Sequence, residues 1–197
     1  STTLWSFSPE GAEFAKEDDQ GDAPGAMARG AIFASAPEPG VAWLAGVAPD
    51  KQSEGELGNG SLQLYALDLS NLNWSHQPAA TIEVGASKHL ASVVGGASAT
   101  GMDLVYLTPD GALAAGTFDG ESWVSGGLVA AGAYEGLVTG AYDSVSRVSL
   151  VRLRSVAGAV STMVVNHDTF AADPFEMSGA KTAVSLTDAA LVVHPWI

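Results

Sequence analysis

Asp103-Leu104-Val105-Tyr106-Leu107-Thr108-Pro109-Asp110-Gly111-Ala112 reads as a strand of alternating character, a tight turn and the start of a second strand. Pro presets φ at the first turn position and Gly accepts the positive φ that closes it, so Thr-Pro-Asp-Gly predicts a hairpin. The same plan stands without a gap at Thr3-Leu4-Trp5-Ser6-Phe7-Ser8-Pro9-Glu10-Gly11-Ala12. Two fainter copies follow it. Residues 62–69 lead to Ser70-Asn71 and then Leu72-Asn73-Trp74, and residues 148–155 lead to Val156-Ala157-Gly158 and then 159–165. With Gly11, Asn71, Gly111 and Gly158 as equivalent positions, the unit recurs at intervals of about 40 to 60 residues and four units use up the chain. A polar insertion at residues 49–60 accounts for the longest interval.

A small-residue, apolar strand precedes each later turn. It falls at residues 41–47 before Asn71, 90–94 before Gly111 and 137–142 before Gly158. For Gly11 the count wraps to residues 189–193, at the end of the chain. A last strand that completes the repeat begun at the N-terminus is how a β-propeller closes, and Gly and Ala suit strands crowded at its axis. Elsewhere 23 Gly and 9 Pro punctuate short Val-rich and aromatic runs, and no stretch keeps helical apolar spacing. The expectation is one all-β domain over 1–197, a four-bladed β-propeller of four antiparallel repeats. These span approximately 28–78, 82–127, 129–179, and 180–197 joined with 1–22, closed by pairing of the N- and C-terminal strands. A β-sandwich or barrel with one duplicated hairpin is the alternative.

Composition narrows the partners. Eight Lys and Arg against 22 Asp and Glu give a net charge of −14 over 197 residues. Nucleic acid and anionic membrane surfaces both require clustered cations, and are therefore excluded as expected partners. With 47% hydrophobic and only 15% charged residues, the chain can bury a core rather than remain disordered. It has no cysteine, which removes disulfides, thiolate metal sites and Cys nucleophiles together. The first residues lack the basic and apolar regions of a signal peptide. A cytoplasmic chain is expected, or a secreted one without disulfides.

The unit Leu104-Val105-Tyr106-Leu107 with Asp110-Gly111, followed by Phe118-Asp119-Gly120 and Trp123, resembles a blade of the fungal fucose-binding lectin propellers. The resemblance is good over that blade and partial over residues 4–20. It implies a propeller scaffold that binds carbohydrate without catalysis. That family holds sugar hydroxyls with a Glu on the strand after the Asp-Gly turn and an Arg from the inner strand. The corresponding stretches 12–16, 112–116 and 159–163 contain only Glu13 as an acid, and the inner strands contain no Arg. The resemblance thus implies a similar scaffold without the fucose site.

Five tryptophans supply the aromatic surface that stacks on sugars and planar ligands. Trp5 and Trp43 sit inside alternating strands, as filling between blades would. Trp74 and Trp123 follow hairpins at comparable offsets, and with Tyr106 they are the expected ligand contacts. Arg152 joins them as a candidate for an anionic or carboxylate group, although Arg147, Arg152 and Arg154 can equally pair with acids across a blade. His89 and His194 fall at ends of inner strands, where imidazoles bind metal or exchange protons. Asn166-His167-Asp168 places a carboxylate beside an imidazole, but strand neighbours point to opposite faces. Residues 17–22 offer carboxylates without the spacing of a calcium loop, so no metal or cofactor is expected.

Three functions remain open from the residues. The first is lectin-like binding of a glycan or small molecule by a non-catalytic propeller. The second is an enzyme isomerising or cyclising a small apolar substrate in a propeller pocket, using His89, His194 and Arg152. The third is a structural or protein-interaction propeller, with edge strands or Trp196 at a homodimer contact.

Overall fold

A computed structural model describes residues 5–8, 13–16, 32–35, 38–49, 52–53, 56–57, 60–71, 73–74, 80–85, 93–119 and 122–175. All regular structure among them is antiparallel β. Strands β1 (Trp5–Ser8) and β2 (Glu13–Lys16) pair with each other. Sheet 1 begins with β3 (Ile32–Ser35) and β4 (Val41–Pro49). The polar insertion then makes its own small ladder, β5 (Gln52–Ser53) with β6 (Glu56–Leu57). The chain returns along β4 as β7 (Gly60–Asp68). The other edge of β7 is paired by β8 (Asn73–Trp74) near its end and β9 (Ala80–Val84) near its start. Sheet 2 is a meander of β10 (Val93–Ser98), β11 (Gly101–Leu107), β12 (Leu113–Phe118) and β13 (Trp123–Ala130). Sheet 3 repeats it with β14 (Tyr134–Asp143), β15 (Val148–Ser155), β16 (Val160–Asn166) and β17 (Ala171–Pro174).

Sheet 2 lies between the other two, and the period-2 geometry of a strand explains its sequence. Every residue of β11 and β12 is buried. On β11, Met102, Leu104 and Tyr106 face sheet 1, where they meet Trp43, Ala45, Val47, Leu62, Leu64 and Val84. The alternate residues Val105 and Leu107 face sheet 3, against Leu137, Val151, Leu153 and Val165. A strand apolar at nearly every position is what burial on both faces requires. Each fully buried Leu or Val stabilises the stack by roughly 1.5–3 kcal/mol relative to exposure. Sheet 1 is also two-faced: its far side buries Ala42, Leu44, Tyr65, Leu67 and Trp74 in a third cluster.

The first strands of the sheets, β3, β10 and β14, lie side by side, with β10 touching both others. Small residues let them approach. A Cβ on Gly140 of β14 would stand 2.4 Å from Cγ1 of Val94 on β10, and one on Gly96 would stand 2.7 Å from the ring of Tyr142.

The two hairpin turns of sheets 2 and 3 are equivalent bond for bond. In the first, Gly111 N–H donates to Thr108 O (2.8 Å), Thr108 N–H to Ala112 O (2.9 Å), and Ala112 N–H to Thr108 Oγ1 (3.1 Å). In the second, Gly158 donates to Ser155 O (2.8 Å), Ser155 to Ala159 O (2.8 Å), and Ala159 to Ser155 Oγ (3.1 Å). Gly111 has φ 83° and Gly158 φ 84°, so the spacing of these glycines marks a true structural repeat. Asn71 does not belong to that series. It sits in the β7–β8 turn, between the third and fourth strands of sheet 1, and residues 50–59 occupy the place of the Gly111 turn. Residues 41–47, expected as an inner strand, are accordingly part of the second strand of their sheet.

The counterparts of the Asn71 turn lie at 119–122 and 166–169, and each is fixed by its first side chain. Asp68 accepts from Ser70 N–H (2.8 Å) and the Ser70 hydroxyl (2.7 Å). Asp119 accepts from the same two groups of Ser122 (2.7 and 3.0 Å). Asn166 Oδ1 accepts from the N–H groups of Asp168 (2.8 Å) and Thr169 (3.0 Å). These side chains substitute for a backbone turn bond, which is why Asp and Asn stand there.

Candidate functional site

Two clusters of chemistry-bearing side chains lie at the junctions between sheets. The first is polar and joins sheets 2 and 3. Asp103 interrupts the apolar run of β11 on the face that adjoins sheet 3, and its carboxylate is fully buried. It accepts from Thr117 Oγ1 across the ladder (2.6 Å), from the Tyr142 hydroxyl (2.7 Å), and from Arg147 through Nε (2.9 Å) and Nη2 (2.7 Å). Arg147 reaches it from the β14–β15 turn, where the residue holds a left-handed φ of 52°. Its Nη1 donates to Asp168 (2.7 Å), so one guanidinium links two carboxylates. Beside them His167 Nε2 and Ser149 Oγ are 2.8 Å apart, both buried, and the imidazole meets the Tyr142 ring edge-on at 5.8 Å. Among the described residues His167 Nδ1 has no hydrogen-bond partner, although it is buried.

The electrostatics follow from this arrangement. Burial pushes the Asp103 carboxyl upward, but the hydrogen bonds from Arg147, Thr117 and Tyr142 outweigh it and hold the group below its ordinary value. Tyr142 is raised by burial and by the Asp103 carboxylate that it donates to. Arg147 is raised chiefly by its bond to Asp103. His167 is lowered by burial, which outweighs the nearby carboxylates, so the folded chain keeps it neutral. Asp103 has its lone pairs filled by four donors. The cluster is a clamp between two sheets, with the Asp103 carboxylate committed to its four donors.

The second cluster is aromatic and joins sheets 1 and 2. The rings of Tyr106 and Trp123 are 6.1 Å apart and tilted by 55°, and Trp43 meets Phe118 edge-on at 5.4 Å in the same core. Trp123 starts β13, at the edge of sheet 2, and is half-buried. Gly116 makes room for it: a Cβ there would stand 2.3 Å from the indole. The arrangement holds one aromatic face on rigid strands at the rim of a junction.

Of the four expected contacts, the structure brings Tyr106 and Trp123 together. Trp74 lies on the far face of sheet 1, buried with Leu44, Tyr65 and Leu67. Arg152 lies on sheet 3, on the face turned away from sheet 2. Its neighbours in sequence are ion-paired, Arg147 as described and Arg154 with Glu135 at 2.8 Å. His76, His89, His194, Trp196 and residues 17–22 lie outside the described residues. The Asp103 clamp escaped the reading of the sequence, although a lone carboxylate in the run Met102-Asp103-Leu104-Val105-Tyr106-Leu107 was its visible signal. No family model matches the chain, and no curated protein matches its sequence.

Proposed function

We propose that the chain is a non-catalytic β-propeller that binds carbohydrate or a related small molecule in lectin-like fashion. In this reading β1, β2 and residues 189–193 supply a fourth sheet and close a four-bladed ring. Three features support the closure: sheets stacked face to face, first strands that lie side by side, and a far face on sheet 1 that is apolar. Removing residues 180–197 is then expected to lower the melting temperature sharply. An unchanged melting curve would sink the closed ring.

The observation that carries the binding function is the half-buried Trp123 beside Tyr106 at the rim of the first junction. An indole fixed on a strand presents a C–H-stacking surface at little entropic cost. The ionisable groups at the second junction are meanwhile committed to each other. The sequence resemblance to the lectin blades points the same way. The test is saturation-transfer NMR over a panel of mono- and oligosaccharides, with Trp123→Phe as the variant. Transfer to a sugar that weakens in the variant is expected. Silence across the panel refutes the reading.

A further inference from the structure

The hydroxyls of Tyr65 and Tyr142 are both occupied, by Gln63 (2.8 Å) and by Asp103 (2.7 Å). That of Tyr106 is not: among the described residues it has no hydrogen-bond partner. Only 5% of Tyr106 is exposed, yet its oxygen is not one of the sealed polar atoms, so the hydroxyl opens to solvent at the rim of the junction. A tyrosine hydroxyl carried on a buried ring almost always finds a partner, and here the partner has to come from outside the chain.

The surroundings say what kind of partner fits. Tyr106, Ala114 and Leu128 stand in one cross-strand row on the face toward sheet 1. Two residues on from Ala114, Gly116 lies under the Trp123 indole. Small residues thus lie beneath both rings, whose centres are 6.1 Å apart, and Leu128, 62% exposed, extends the apolar surface outward. No charged side chain belongs to this core. Burial pushes the Tyr106 phenol upward, so it stays neutral and can both donate and accept. The net charge of −14 repels anions, and no cation of this core offsets it. A ligand that meets both rings therefore needs a C–H face, a hydroxyl beside it and no negative charge.

We infer that the Tyr106 hydroxyl is the polar anchor of the Trp123 site, and that the site takes a neutral pyranose. The sugar stacks a C–H face on the indole and shares one hydrogen bond with the phenol. The inference rests on the lectin-like reading and adds to it the atom that orients the sugar and the class of sugar, neutral rather than acidic.

The test is Tyr106→Phe, which removes one oxygen and keeps the ring. Because no protein group bonds that oxygen, the melting temperature should stay within about 2 °C of the native value. A larger fall gives the hydroxyl a partner inside the protein and overturns the inference without any ligand. Binding is read from the Trp123 indole N–H in nitrogen-15 NMR titrations with methyl β-glucoside and methyl β-glucuronide. A saturable shift is expected with the glucoside alone, weakened about three- to tenfold in Tyr106→Phe. Undiminished binding in Tyr106→Phe beside lost binding in Trp123→Phe overturns the anchor and leaves the lectin-like reading standing. Equal binding of the glucuronide overturns the neutral class. No saturable shift with either sugar in the native chain overturns the inference together with the reading beneath it.

Discussion

Replacing Asp103 by Asn is the sharpest probe of the junction between sheets 2 and 3. The side chain keeps its shape but loses its charge, and an amide NH2 now stands where one carboxylate oxygen accepted bonds. Two of the four donors to Asp103 come from Arg147, at 2.9 and 2.7 Å, and two from neutral hydroxyls of Thr117 and Tyr142. Removing one member of a buried ion pair costs about 3–5 kcal/mol. Arg147 keeps 23% of its side chain exposed and still reaches Asp168, so water and that carboxylate recover part of the loss. The net cost works out at about 3 kcal/mol, a large share of the 5–15 kcal/mol typical of a domain. For a chain of this size it lowers the melting temperature by about 6–12 °C. Urea unfolding followed by tryptophan fluorescence measures it. A double-mutant cycle with Arg147→Met separates the pair from its surroundings and should give a coupling above about 1.5 kcal/mol. A loss below about 1 kcal/mol for Asp103→Asn, or strictly additive single variants, would refute the clamp.

Acid should loosen the same junction in two stages. His167 has a lowered pKa in the folded chain, so the unfolded chain binds the proton first, and stability falls as the pH drops below the ordinary imidazole value of 6.5. Asp103 is also lowered, and its contribution, present above about pH 3.8, is lost as the pH falls through its folded value. Urea midpoints measured against pH should show the first slope in the native chain and lose it in His167→Gln. Gly140→Ala should cost about 1–3 kcal/mol by driving β14 off Val94, a loss readable by calorimetry. Amide exchange should be slowest on β11 and β12, which have no exposed residue, and a faster rate there than on β17 would contradict the stacking order.

The turns were the most legible part of the sequence. Pro-Asp-Gly fixes local dihedrals whatever surrounds it, so the hairpin at Gly111 and its weaker copy at Gly158 were readable from a few residues. Asn71 was misplaced in that series because the turn it was matched to had been replaced by the longer insertion at 50–59, in which Pro49-Asp50 is not followed by Gly. The structure aligns the sheets instead on the Asp or Asn that opens each third turn, at 68, 119 and 166. Tyr106 and Trp123 stand out in the sequence because aromatic residues announce themselves, and the structure sets their rings side by side. The separation of Trp74 and Arg152 from them depends on which face of a sheet meets which neighbour. That is decided by stacking, to which period-2 alternation is blind.

Three sheets of similar outline and largely interchangeable apolar faces have an obvious hazard, which is joining in the wrong order. Arg147 limits it. Set against the other face of sheet 2 it would meet Met102, Leu104 or Tyr106, leaving Asp103 buried without its cation and Arg147 with Asp168 alone. A slip of one residue along β11 has the same result. The clamp therefore acts as an address: sheet 3 can settle against one face of one neighbour in one alignment, and every other assembly carries a stranded charge.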